Sequence, residues 1–400
     1  MTTTHTGFDV PAVLGGRAEF PDGLALMEPT LPDRRALERR LASILASGQL
    51  TNGRTVRELE ERVAERLHVP HVVAVSSCTS GLALTYQALG VHGQVVLPSF
   101  TFSASAHAVT WASGTPLFTD VAPDTLCLDP EAVAAEMGGV GAVSATHIYG
   151  TPCRTEELEA IAASADVPLV FDAAHALGSV RSGRPVGSFG TAEVFSLSPT
   201  KVVVGGEGGL VSTRDGALAE AVRLGRNYGN PGNYDCEFPG LNARMSELHA
   251  AVALHSLSQL DQNVQRRNEL AELFWTRLSG LTGLTRPRVD TGDVSTYKDL
   301  TLLVDPVEFG LSSVELAVAL GAEGIDTRRY YHPPIHSQAA YRSLPRRRLP
   351  VTERVARCVL SVPLWSHMTL TQMNSLANAI LRVHDHRARI RHQLPERIPR

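Results

Sequence analysis

The chain has 400 residues, enough for two or three domains, and its 43% hydrophobic and 20% charged residues describe a folded globular protein rather than a disordered one. A formal net charge of −4 offers no basic excess for gripping a phosphate backbone, so nucleic acid is excluded as the main partner. No apolar run reaches the roughly 18 residues needed to span a bilayer, and the opening MTTTHTGFDVPAVLGG lacks the basic and apolar regions of a secretion signal, so no membrane partner is expected.

Residues before Asp33 are expected to pack against one of the domains. Thr55 and Glu58 have the spacing of a capping box ahead of LEERVAERL. Apolar runs at 71–76, 94–98, 116–121, 142–148, 168–172, 192–197 and 209–213 read as strands. Most lack polar alternation, as strands covered on both faces do. Between them, Asp129-Pro130 predicts the N-cap and first turn of a helix, and Thr155 stands as N-cap before EELEAIAASA. These alternations predict an α/β domain of about seven strands. A long helical stretch over 246–278 follows. Strand-like runs at 300–304 and 325–330 and helices at 313–320 and 370–384 predict a smaller α/β domain, placing the large unit in 1–285 and the small one in 286–400. The basic end HDHRARIRHQLPERIPR reads as a solvated tail.

The cysteines Cys78, Cys127, Cys153, Cys236 and Cys358 are widely spread with no CxxC pair, which suits reduced thiols in a cytoplasmic protein. The basic residues are more telling. Only Lys201 and Lys298 are lysines; the other 35 are arginines. A codon bias alone would give that ratio, yet a lysine can shed its proton and attack a carbonyl, which arginine cannot. Lys201 stands between the apolar run VFSL and a glycine cluster, where burial would favour the neutral amine. Asp172 ends the run PLVF; a carboxylate there could hold a metal, a nucleotide or a protonated pyridine nitrogen. The segment SSCTSG at 76–81 follows one strand and opens a helix, a setting that suits either simple capping or a phosphate. Phe102, just past the next strand, could stack on a flat ring or belong to the core. His332 and His336 have the spacing of a zinc helix, but the prolines between them forbid that helix, so no metal is expected.

Over 48–369 the chain resembles the DegT/StrS-type sugar aminotransferase family, pyridoxal-phosphate enzymes of the aspartate aminotransferase fold. The resemblance is carried in order by GQLTNG, SSCTSGLAL, PSFTFSASAHAV, HIYG, FDAAHALGS, FSLSPTK, GGEGGLV, RNYGNPG, LNARMSELHAA and YYHPPIHSQAAY. It implies a large three-layer α/β/α domain with a mostly parallel seven-stranded sheet and a smaller C-terminal α/β domain. By the same resemblance, Lys201 carries pyridoxal 5′-phosphate and Asp172 faces its ring nitrogen. Cys78, Thr79 and Ser196 lie at its phosphate, Phe102 on its ring, and His175 at its phenolic oxygen. Asn242 is given to the partner subunit, so a homodimer with shared active sites is implied. Two positions depart from the family pattern: Cys78 replaces a usual glycine, and His175 a frequent glutamine.

Thr51, Asn52, His147, Tyr149, His332 and His336 are the residues expected at the sugar, with Arg226 or Arg244 at its diphosphate. The resemblance implies transamination of a nucleotide-linked keto-sugar with L-glutamate as donor, in dideoxy-sugar or secondary metabolism. The segment SPTK, with Thr200 beside the lysine, points to a dTDP-4-keto-6-deoxyhexose. A 3-keto-sugar or keto-cyclitol aminotransferase is the alternative. A sugar dehydratase, which would have histidine in place of Lys201, and a non-catalytic regulator fit the residues less well.

Overall fold

The computed structural model describes residues 10–31 and 33–394. In chain order, β1 (His71–Val75), β2 (Gly93–Pro98), β3 (Gly114–Thr119), β4 (Ala142–Thr146) and β5 (Leu169–Asp172) precede a short hairpin, β6 (Val180–Arg181) and β7 (Arg184–Pro185). Then come β8 (Ala192–Ser196) and β9 (Gly209–Thr213). All but the hairpin join one seven-stranded sheet in the order β1-β9-β8-β5-β4-β2-β3. Only β9 runs opposite to its neighbours. The seven apolar runs are therefore the seven strands.

Both faces of this sheet are covered. On β1, Val73 and Val75 enter one apolar cluster while Val72 and Ala74 enter another. That period-two division with apolar residues on both sides explains the missing polar alternation. The large domain carries α1 (Arg34–Ser47), α2 (Arg54–Leu67), α3 (Cys78–Ala88), α4 (Ser103–Trp111), α5 (Pro130–Ala134), α6 (Thr155–Ser164) and α7 (Gly216–Gly225). Leu82 and Tyr86 of α3 sit with Val73, Val95, Val170 and Val194 on one face; Val56, Leu59 and Val63 of α2 sit with Val72 and Phe195 on the other.

The caps differ in part from expectation. Asp129 does cap α5, accepting from the Glu131 N–H at 3.1 Å, with Pro130 in the first turn. Thr55, by contrast, lies inside α2, whose N-cap is Gly53 with no side-chain bond. The orphan N–H groups of Gly53, Thr55 and Val56 donate instead to the buried Glu247 carboxylate at 2.8–2.9 Å. A distant carboxylate has replaced the local cap. Thr155 is likewise the first residue of α6, with Arg154 before it.

The stretch 246–278 is two helices, α8 (Glu247–Leu257) and α9 (Leu260–Arg277), separated at Ser258 and Gln259. Beyond them lie α10 (Ser313–Ala322), α11 (Pro350–Cys358), α12 (Leu370–Asp385) and α13 (Arg387–Gln393). A three-stranded antiparallel sheet joins β10 (Leu284–Thr285), β11 (Leu300–Val304) and β12 (Val359–Val362). Residues 325–330, expected as a strand, form only single bridges from Ile325 to Leu24 and from Arg328 to Ser361. The apolar cluster on this small sheet takes in Leu24 from the N-terminal segment and Leu270 and Phe274 from α9. It therefore draws on chain from both sides of residue 286. Among the described residues, no helix is long and apolar enough to cross a membrane.

The basic end is not solvated throughout. Residues 387–393 form α13, with Ile390 and Leu394 buried in the small-domain cluster, while 395–400 lie outside the described residues. Its apolar positions at i and i+4 share one face, while Arg389 and Arg391 are exposed and Arg387 packs on Gly310. Ile390→Ala should lower stability by about 2–4 kcal/mol, and the exposed Arg391→Ala by less than about 0.5 kcal/mol. Urea denaturation checks this; equal midpoints for the two variants would show that α13 does not dock.

Candidate active site

The C-terminal ends of β1, β2, β5 and β8 open on one side of the sheet, and the loops leaving them carry the residues that the sequence singles out. Such strand ends are where open α/β sheets hold ligands. Asp172 closes β5 and is 4% exposed. Its Oδ2 accepts a 2.6 Å bond from Ser105 Oγ, and its Oδ1 accepts from the Ala174 N–H at 3.1 Å. No side-chain cation pairs with it among the described residues. A buried carboxylate held only by neutral donors is incomplete without a positive group.

Lys201 follows β8, its backbone turned by a 3.0 Å bond from its N–H to the Ser198 carbonyl. Its amine has no hydrogen-bond partner among the described residues. Burial pushes that amine down to about 8, aided by the charge of Lys298 and opposed by Asp299, Cys78 and Asp172. A substantial share is therefore neutral and nucleophilic near neutral pH. His175, in the loop after Asp172, has a buried Nδ1 with no partner. Burial first, then the charges of Lys201 and Lys298, hold its imidazole neutral.

At the start of α3 a reciprocal capping box joins Ser77 and Ser80. It leaves the N–H groups of Cys78 and Thr79 without partners among the described residues, at the positive end of an eleven-residue helix. Gly209 of β9 passes so close that a Cβ there would come within 2.6 Å of the Cys78 nitrogen. Cys78 itself turns inward: its Sγ lies 3.4 Å from the Val194 carbonyl and 3.8 Å from Asp172 Oδ1. The side chain that replaces the usual glycine thus leaves the backbone amides clear. Ser196 is half-buried, its Oγ 3.4 Å from Ser198 N. Phe102, at the N-cap of α4, is 58% exposed, with its ring tilted against Tyr331.

These features fit pyridoxal phosphate. Two free amides at a helix N-terminus suit its phosphate, the unpaired Asp172 its protonated ring nitrogen, and the unpaired Lys201 amine its aldehyde.

The expected sugar-facing residues divide. Thr51 is exposed and Asn52 half-buried, with an unpartnered Oδ1, on the loop that Glu247 anchors. His332 is also exposed. His147 is fully buried, its Nε2 3.1 Å from Glu193 and its Nδ1 accepting from the Cys153 N–H, so no ring nitrogen is left for a substrate. Tyr149 is buried as well, with its hydroxyl donating to the Tyr330 carbonyl. His336 meets Ser99 Oγ, at the end of β2, at 2.6 Å, and its Nε2 lies 3.9 Å from Glu353. Arg226 is engaged by Glu60 and the Ala74 carbonyl, both at 2.6 Å. Arg244 rests on Asn227 and the Tyr228 ring beside the exposed Asn242.

Ser105 is absent from the sequence-based set, although it lies three residues after Phe102 in PSFTFSAS. Ser105→Ala should cost about 1–3 kcal/mol, because a buried carboxylate oxygen loses its donor, while Ser105→Thr should retain most of that stability. Denaturation midpoints of the two variants check this, and identical losses would contradict it. The amine makes a second prediction. Lys201 should react with formaldehyde and cyanoborohydride at a rate that rises with pH through about 8 and then levels, since only the deprotonated form attacks. A midpoint near the ordinary lysine value of about 10.4 would contradict the burial argument.

Comparison with known proteins agrees with this geometry. The model of the DegT/DnrJ/EryC1/StrS aminotransferase family matches residues 33–381. The chain is 32% identical to the dTDP-3-amino-3,4,6-trideoxy-alpha-D-glucose transaminase of Streptomyces venezuelae, over 87% of this chain and 92% of that protein. It is 28% identical to the dTDP-4-amino-4,6-dideoxy-D-glucose transaminase of Escherichia coli, over 86% and 94%. The crystal structure of DesI in the presence of its TDP-sugar product superposes with a TM-score of 0.90 at 36% identity, covering 97% of this chain and 99% of that one. With a lysine and a buried carboxylate converging at one end of a fold-type I sheet, the chain belongs to the DegT/DnrJ/EryC1/StrS family and is a pyridoxal-phosphate-dependent aminotransferase.

Proposed function

We propose that the protein transfers an amino group from L-glutamate to the keto carbon of a dTDP-4-keto-6-deoxyhexose, giving the 4-amino-4,6-dideoxy sugar. The observation that carries the reading is the pair of groups without an ionic partner, the Asp172 carboxylate and the Lys201 amine. When bound, pyridoxal phosphate supplies an electron sink for the carbon that loses its proton. The amides of Cys78 and Thr79 and the hydroxyl of Ser196 would hold the phosphate, and Phe102 would pack on the ring. Asp172, fixed by Ser105, would keep the ring nitrogen protonated, and neutral His175 would hydrogen-bond the phenolic oxygen. Lys201 would bind the cofactor aldehyde, and its amine would take a proton from the α-carbon of the donor and deliver one to the sugar carbon that becomes aminated.

Asn242 is exposed beside Tyr228 and Leu241, which are also exposed, and its side chain has no hydrogen-bond partner among the described residues. This supports a homodimer in which Asn242 reaches the partner's phosphate. Thr51, Asn52 and His332 remain for the sugar and Arg244 for its diphosphate. Five unpaired cysteines, three of them buried, suit the reducing cytoplasm. The E. coli relative is named for a 4-amino sugar and DesI was crystallised with a TDP-sugar product, which supports the substrate class. The S. venezuelae relative, named for a 3-amino sugar, favours the 3-keto isomer as the second reading.

Turnover of dTDP-linked 4-keto and 3-keto sugars with L-glutamate, followed by 2-oxoglutarate release, separates these. The 4-keto sugar should react faster; faster reaction of the 3-keto isomer overturns the assignment. Lys201→Arg should fold normally and lose about a thousandfold or more of kcat, because a guanidinium neither attacks a carbonyl nor relays a proton.

A further inference from the structure

Two ionisable side chains that the cofactor site does not use are sealed inside the large domain. The side chains of His147 and Glu193 are both 0% exposed, with His147 Nε2 3.1 Å from Glu193 Oε2. Nδ1 of the imidazole accepts from the Cys153 N–H at 2.9 Å, so the ring proton is on Nε2 and is donated to the carboxylate. The other Glu193 oxygen accepts from the Gly187 N–H at 2.6 Å and from the Phe189 N–H at 2.7 Å. Every polar atom of the two side chains is therefore occupied, and each is held in one orientation.

The pair spans the strand that ends in Asp172. In the sheet, β5 lies between β4 and β8. Glu193 of β8 stands directly beside Phe171 of β5, and Ala145 of β4 stands beside Phe171 on its other edge. His147 follows Ala145 by two residues, which returns its side chain to that same face. There the imidazole stacks on the Phe171 ring, with centroids 4.8 Å apart and planes 13° from parallel. Asp172, the next residue, projects from the opposite face, where Ser105 meets it. The backbone is joined on both edges as well: the His147 N–H donates to the Asp172 carbonyl at 3.1 Å, and the Ala173 N–H to the Val194 carbonyl at 2.9 Å. A buried charged pair is a poor source of stability, since apolar residues of similar volume would serve as well. What its hydrogen bonds add is direction. They fix the plane of the imidazole, and through the stacked Phe171 ring they fix the end of β5.

We propose that His147 and Glu193 are positioning residues for Asp172: joined across β5, they brace the end of that strand and keep its carboxylate aimed at the cofactor ring nitrogen. This rests on Asp172 being the partner of that nitrogen, and the test separates the two claims. The full-length protein stripped of cofactor is titrated with pyridoxal 5′-phosphate and with its 1-deaza analogue, in which a C–H replaces the ring nitrogen. The ratio of the two dissociation constants reads the Asp172 contact, whereas a general loss of structure weakens both ligands alike. Asp172→Ala should bring that ratio close to one; an unchanged ratio there overturns the reading of the site and the proposal with it. His147→Phe keeps a ring on Phe171 but removes the donor to Glu193. It should weaken pyridoxal phosphate about tenfold and the analogue less than about twofold. His147→Gln, whose amide can still donate to Glu193, should stay within about threefold of the wild type. If His147→Phe does not fold, Phe171→Leu decides the matter, since it removes the stacked ring and leaves the pair intact; it should lower the ratio about threefold. Equal losses for the two ligands or an unchanged ratio in the deciding variant, or a Gln variant as weak as Phe, overturns the brace and leaves the role of Asp172 standing.

Discussion

The site depends on the burial of Asp172 without a counter-ion. A carboxylate that is 4% exposed meets only neutral donors among the described residues, the Ser105 hydroxyl, the Ala174 amide and the Cys78 thiol. A protonated ring nitrogen completes it. The rest of the large domain can be understood from that requirement: β5 delivers the carboxylate, α4 brings Ser105 to it, and β8 places Lys201 alongside. Lys201 does not pair with Asp172, which would satisfy both groups and close the site. Each is left incomplete, and one cofactor satisfies both.

The small domain is part of this arrangement. Its chain touches the large domain at strand ends: Ile335 and His336 on Ser99, Val351 and Thr352 on the Asp120 carboxylate, and Thr296 on His175. Apolar clusters cross beside these polar contacts, Leu97, Ala106 and Phe118 with Ile335, Tyr341 and Leu349, and Val96, Phe100 and Phe171 with Val355, Ala356 and Val359. The segment 295–299 thus meets the loop after Asp172 through the Thr296 bond to the His175 carbonyl.

What could be read from the sequence followed from local physics. The seven sheet strands showed as apolar runs because both sheet faces are covered, and Lys201, Asp172 and the SSCTSG turn stood out because each terminates such a run. What could not be read depends on distant partners. Thr55 had capping-box spacing, but Glu247, nearly two hundred residues away, supplies the cap. His147 ends a strand at the correct edge, yet the buried Glu193 two strands away takes its ring nitrogen. The strand-like 325–330 lacks a neighbour along its length, and the tail's arginines masked the apolar face of Ile390 and Leu394.

The most direct measurement for the central claim is chemical. Protein saturated with pyridoxal phosphate is reduced with borohydride, digested and mapped. The phosphopyridoxyl group should lie on the peptide containing Lys201 and nowhere else, because that amine alone is both unpaired and beside Asp172. A label on Lys298, or none on either lysine, would contradict the account of the site and the role given to Lys201.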